Sequence, residues 1–223
     1  MMNIDKKVLV LLFIVLFFRE GLCQGQTCSI EAVAKNNEAI ETWTKSFDKE
    51  NLEKAVHLLE KSIAIDSTYR IAYVNMAQCV VMLNRTEEAT RIIDVALKHF
   101  PEDAYLYCMK GLLLAKSHKR VLSKEAFQRA LVLIEKELNH TISDNLFFTK
   151  ALIQAFNGDR CIGFIELLMA QSSFYSVTFD LIKWDFYRAE LRSILNFDRD
   201  KEIREYWSLS VPESGKYVID YSR

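Results

Sequence analysis

Turn-forming residues are scarce in this chain. Six glycines and two prolines among 223 residues are too few to punctuate a sandwich or barrel of many short strands, and they favour long helices. An excess of charge of one sign is also missing. Lysine and arginine number 29 against 30 aspartates and glutamates, and nowhere do they form the basic stripe from which a phosphate-backbone binder draws its affinity. The mixed run from Lys116 to Arg120 reads as a solvated helix end, and no nucleic acid is expected as a partner. With 50% hydrophobic and 26% charged residues, the composition is that of a folded domain, or two small ones, with a real core, which excludes disorder as the dominant state.

Catalytic signatures are absent too. His57, His99, His118 and His140 form no His-x-x-x-His pair. The chain has no Gly-x-Ser-x-Gly elbow, no phosphate-cradling glycine loop and no dinucleotide fingerprint. These histidines read as surface residues. Carboxylate pairs such as Glu87 and Glu88 read as solvated helix ends. No catalytic residue, cofactor or metal ligand is therefore assigned, and the chain is expected not to be an enzyme. Cysteines are few and widely spaced. No Cys-x-x-Cys pair exists among Cys28, Cys79, Cys108 and Cys161, so neither a zinc site nor a redox dithiol has support. Disulfides are permitted without being required, and buried free thiols are the preferred reading.

Only one long apolar run occurs, Val8 to Phe18. It follows Lys6 and Lys7 and precedes the small residues Gly21 and Cys23, the three parts of a secretory signal peptide. Cleavage after Cys23 would start the mature chain near Gln24 and place it in the periplasm or outside the cell. The run is shorter than the roughly 20 residues of a comfortable membrane span, so no membrane span is expected after cleavage. An uncleaved anchor is the competing reading. Lipidation of Cys23 is disfavoured, because Gly21 and Leu22 make a poor lipoprotein box. Asn84 with Thr86 and Asn139 with Thr141 are glycosylation acceptors in expected turns, and matter only if the source glycosylates exported proteins.

What the chain does have is a period of 34 residues. Ala55, Ala89 and Ser123 share one column; Leu59, Ile93 and Phe127 another; Ser62, Ala96 and Ala130 a third. Ala39, Tyr73 and Tyr107 form a fourth column, and Trp43, Ala77 and Gly111 a fifth. Small and large residues alternate as two packed helices require, the small ones permitting close approach and the large ones filling the next unit's grooves.

This pattern resembles the tetratricopeptide repeat, which places large residues at positions 4, 11 and 24, small ones at 8, 20 and 27, and proline at 32. Arg70 to Asp103 fits best, with Tyr73, Ala77, Val80, Ala89, Ile93, Ala96 and Pro101 in those places. The repeat beginning at Asn36 carries Ala55, Leu59 and Ser62 but bulky Trp43 where a small residue belongs, and the one beginning at Ala104 carries Tyr107, Gly111, Leu114, Phe127 and Ala130, with Ser123 in place of the small alanine. A fourth pair reads Leu146 to Phe156, the turn Asn157-Gly158-Asp159, and Cys161 to Ala170. Its Gly163 lies 40 residues after Ser123, so an insertion is expected around Asn139 to Asp144.

The resemblance implies an all-α fold, a right-handed superhelical array of antiparallel helix pairs closed by a C-terminal capping helix over Phe179 to Leu195. The expected organisation is a signal peptide over 1–23, an N-terminal linker over 24–35, the repeat array over 36–171, and the capping helix and tail over 172–223. In this family the first helix of each pair lines a concave groove. Carried onto this chain, the groove positions are Ile40 and Phe47; Ile71, Val74, Gln78, Val81 and Met82; Tyr105, Cys108 and Leu112; and Phe148 and Leu152. The lining is apolar and lacks the lysine, arginine and asparagine clamp that grips a terminal carboxylate.

Function follows as a non-catalytic scaffold or adaptor whose groove takes a hydrophobic polypeptide segment, either a partner's or the chain's own C-terminal tail. Two rivals stand beside it. One is a small-ligand-binding or enzymatic protein using the aromatics Trp184, Tyr187, Tyr206 and Trp207, which at helical spacing are more often core. The other is a structural envelope protein that self-associates into a homo-oligomer through its ends.

Overall fold

The computed structural model describes residues 28–140, 144–158 and 198–205. The expected signal peptide, the second helix of the fourth pair, the helix over 179–195 and the final tail lie outside the described residues. Within them the chain is helical: α1 Ile30–Lys45, α2 Lys49–Ile65, α3 Arg70–Met82, α4 Thr86–His99, α5 Ala104–Lys116, α6 Arg120–Leu138, α7 Asp144–Asn157 and α8 Arg199–Glu205. From α1 to α7 each helix packs on its neighbours in sequence, the arrangement of a solenoid of helix pairs.

Local signals explain where these helices start. Asp48 and Asp103 cap α2 and α5, accepting the backbone N–H of Asn51 at 2.8 Å and of Leu106 at 2.9 Å. Helix α1 begins at Ile30, inside the stretch expected as a linker, because Ser29 serves as its N-cap. The Ser29 N–H in turn donates to Asp66 Oδ2 at 3.0 Å, tying the start of α1 to the end of α2.

Two turns are built alike. Asn84 and His118, one period apart, both take the left-handed conformation, at φ 61° and 58°. After α3, Asn84 N–H donates to Val81 O and Arg85 N–H to Val80 O; after α5, His118 N–H donates to Ala115 O and Lys119 N–H to Leu114 O. Both are Schellman caps, which satisfy the last carbonyls of a helix and reverse the chain.

The periodic columns form the core. Ala55, Ala89, Ser123, Leu59, Ile93, Phe127, Ser62, Ala96 and Ala130 are all fully buried. Each large member contributes about 1.5–3 kcal/mol by leaving water. The two serines are tolerated because their hydroxyls are satisfied. Ser62 Oγ donates to Ala32 O at 2.7 Å, and Ser123 Oγ to Gly111 O at 2.8 Å. Bulky Trp43 sits at the edge of the array, half-buried, its ring edge-on to Phe47 at 5.5 Å.

The surplus before the fourth pair is accommodated differently from the expected loop insertion. His99 plus one period is Leu133, yet α6 continues to Leu138. The extra residues therefore extend the helix, and Glu135 on the extension pairs with Lys150 of α7 at 3.2 Å. Gly158, at φ 105°, follows α7 at the expected Asn-Gly position.

Candidate functional site

The first helices α1, α3, α5 and α7 carry eleven of the twelve groove positions, and Phe47 falls in the connection between α1 and α2. Ile40, Phe47, Ile71 and Tyr105 are half-buried, as an open lining would be. Val74, Gln78, Val81, Met82, Cys108 and Leu112 are not: all are buried, with Val81 and Leu112 only 1% exposed. At α3 and the middle of α5 the apolar groove positions are therefore covered. The cause is visible in the helices themselves. Ten of the thirteen residues of α3 are buried, and a helix apolar on every side is one that neighbours enclose. Phe148 and Leu152 lie on α7, but their side chains are outside the described residues.

The structure divides these positions between two clusters. Val74, Val81 and Met82 join the core of the first two hairpins, with Phe47, Ile71 and Tyr105 packed against it. Cys108 and Leu112 belong to a second cluster with Phe127, Ile134, Ile153, Phe156 and Ile203. Ile203 comes from α8, which the sequence reading missed. A single isoleucine in the run Arg-Asp-Lys-Glu-Ile-Arg-Glu has no helical periodicity to announce it; the one local signal is Asp198, whose Oδ1 accepts from Lys201 N–H at 3.0 Å.

Two polar features also escaped the sequence reading. Asn36 and Asn75, on α1 and α3, are both buried, and Asn75 Nδ2 donates to Asn36 Oδ1 at 2.7 Å. Arg70 and Asp103 close adjacent repeats with a 3.0 Å ion pair, the guanidinium lying 5.7 Å from the centre of the Tyr105 ring. Charge of this kind orders the scaffold.

Cys79 and Cys108 are free and buried, as read, and desolvation pushes both thiols up to about 12. Cys28 departs from that reading: it is half-buried and disulfide-bonded, with its partner outside the described residues.

A cleft of about 490 Å³ opens between α4, α5 and α6, lined by Glu87, Arg91, Asp94, Tyr107, Lys110, Lys119 and Glu125 among others. Its charges are largely spent on one another: Lys110 pairs with Asp94 at 2.7 Å and Lys119 with Glu87 at 3.4 Å. Among the described residues no group of three or more His, Cys, Asp or Glu could hold a metal. No described helix is long and apolar enough to cross a membrane. The aromatic set Trp184, Tyr187, Tyr206 and Trp207 lies outside the described residues.

Stacked helix hairpins with small-on-large columns and a buried first-helix face define a helical-repeat scaffold. Residues 46–113 match the model of the tetratricopeptide repeat family. No curated protein matches the chain in sequence. Among solved structures it is similar to YrrB, described as a tetratricopeptide-repeat protein with an unusual peptide-binding site, at 20% identity over 78% of this chain and 87% of that one, TM-score 0.44. It is also similar to residues 41 to the end of MamA from Desulfovibrio magneticus RS-1, at 14% identity over 67% of this chain and all of that one, TM-score 0.41. A MamA RS-1 double mutant gives 13% identity over 68% of this chain and all of that one, TM-score 0.41.

Proposed function

We propose that the chain is an exported, non-catalytic scaffold that binds a hydrophobic polypeptide segment on the face of its first helices. The observation that carries this reading is the seat of Ile203. An aliphatic side chain on a short, otherwise charged helix lies 6% exposed in one cluster with Cys108 and Leu112, two of the positions assigned to the groove. A surface that takes one such anchor from α8 has the shape and polarity to take one from another chain. Export rests on the sequence of residues 1–23 alone, and the disulfide at Cys28 suits an oxidising compartment.

The test is a binding titration of the mature chain, residues 24–223, with fluorescent amphipathic peptides that differ only in whether aliphatic anchors or serines occupy one face. Substitutions belong at the half-buried groove positions, because aspartate at Val74 or Leu112 would disrupt the core. The anchored peptide is expected to bind at least tenfold more tightly than its serine counterpart and to lose that preference in Ile40→Asp and Ile71→Asp. Equal affinity for both peptides overturns the reading.

A further inference from the structure

We infer that the chain's own C-terminal segment, residues 206–223, docks in the cleft between α4, α5 and α6, on the side of α5 turned away from the groove. The inference does not rest on the binding reading above. On α5 the cleft is lined by Tyr107, Lys110 and Leu114, whereas the groove positions there are Tyr105, Cys108 and Leu112. The two sets are offset by two residues, about 200° around a helix, and so occupy opposite faces. A segment seated in the cleft does not compete for the groove.

Chain path and chemistry both select this occupant. Lys116 Nζ, in the last turn of α5, donates to Arg204 O at 3.2 Å, so the described chain ends beside the α5–α6 turn. Lys119, which borders the cleft, lies three residues after Lys116, and Val121 and Leu122 follow it. These two aliphatics are 71% and 50% exposed, at positions where the preceding repeat carries Glu87 and Glu88. From Glu205 the extended chain reaches about 35 Å by Lys216, ample for the path around the turn. There the segment Lys216-Tyr217-Val218-Ile219-Asp220 sets an apolar centre between a cation and an anion. The cleft offers the complement: apolar Tyr107, Leu114 and Leu122, with Arg91 from its α4 wall and Glu125 from its α6 wall. Neither of those two charges has an ion-pair partner among the described residues. Asp220 is thus matched to Arg91 and Lys216 to Glu125, with the apolar residues between them covering Leu122.

The experiment is zero-length carbodiimide coupling of the full mature chain, residues 24–223, at dilutions that keep it monomeric, read by peptide mass spectrometry. Wild type is compared with Leu122→Asp, Leu122→Ile and Ile71→Asp. Amide links are expected from Lys216 to Glu125 or Glu87 and from Asp220 to Lys110 or Lys119. Their yield should fall at least tenfold in Leu122→Asp and hold in Leu122→Ile and Ile71→Asp. Leu122 is half-exposed, so aspartate there leaves the buried columns in place, and a circular-dichroism melt of each variant checks that it folds. Wild type decides the matter by itself where a variant fails to fold: tail links confined to residues outside the cleft, or no tail links, overturn the docking. Links lost in Ile71→Asp but kept in Leu122→Asp overturn it too, since they put the tail in the groove.

Discussion

A Cβ built on Gly111 would stand 2.6 Å from Cε1 of Phe127, a contact that real side chains do not make. Gly111 occupies a small-residue column and Phe127 a large one, so this pair sets how closely α5 and α6 approach at that point. Helix propensity alone would favour alanine at 111 by about 1 kcal/mol. Phe127 is fully buried and stacks on Phe156 at 6.2 Å, so any shift of its ring disturbs that contact.

Gly111→Ala is therefore expected to destabilise the chain by about 1–3 kcal/mol, the cost of overpacking. Urea unfolding of Gly111→Ala, Phe127→Leu and the double variant checks it. The double variant should be more stable than the sum of the two single effects predicts, since the smaller ring makes room for the methyl.

The Asn36–Asn75 bond gives a second coupled pair. Removing one partner leaves a buried amide without its bond at a cost of about 1–3 kcal/mol, whereas replacing both by apolar residues of similar size costs less than the sum. A double-mutant cycle with leucine at both positions, read by urea unfolding, should show strongly non-additive effects. Additive effects would mean that the 2.7 Å contact contributes nothing.

Much of this architecture is legible in the sequence because steric rules write it there. The columns of Ala89 and Ile93 must repeat wherever one hairpin stacks on the next. The rest is illegible for definite reasons. Nothing around Leu112 announces that Ile203, far along the chain, will cover it, and a lone isoleucine among charges carries no period. The burial of Val74 and Val81 likewise depends on neighbouring helices, which family register cannot supply. The continuation of α6 past Leu133 reads equally well as a loop until Glu135 is seen to reach Lys150.

Backbone strain at the turns can be tested by relieving it. His118 takes a left-handed φ of 58° without the freedom of glycine, whereas asparagine, as at Asn84, tolerates that region better. His118→Gly should raise stability by up to about 1 kcal/mol and Asn84→Gly by less, measured as shifts in the urea midpoint at constant slope.

Acid should loosen the first hairpin. The hydroxyl of Thr68 and the backbone N–H of Ser29 hold the Asp66 carboxyl below its ordinary value, and the hydroxyl of Ser46 and the N–H of Asn51 do the same for Asp48. A depressed folded-state value means that this contribution is present above the ordinary carboxylate range and is lost as pH falls through the lowered values. Asp66→Asn is expected to lower stability at pH 7 and to flatten the loss between about pH 4 and pH 2. Thermal melts across that window, compared with wild type, check both effects.

The most direct test of the central claim is hydrogen exchange on the mature chain with and without the anchored amphipathic peptide. Binding on the first-helix face predicts new protection in residues 70–82 and 104–116. Protection confined to α2, α4 and α6, or none at all under conditions where the peptide binds, would contradict the account.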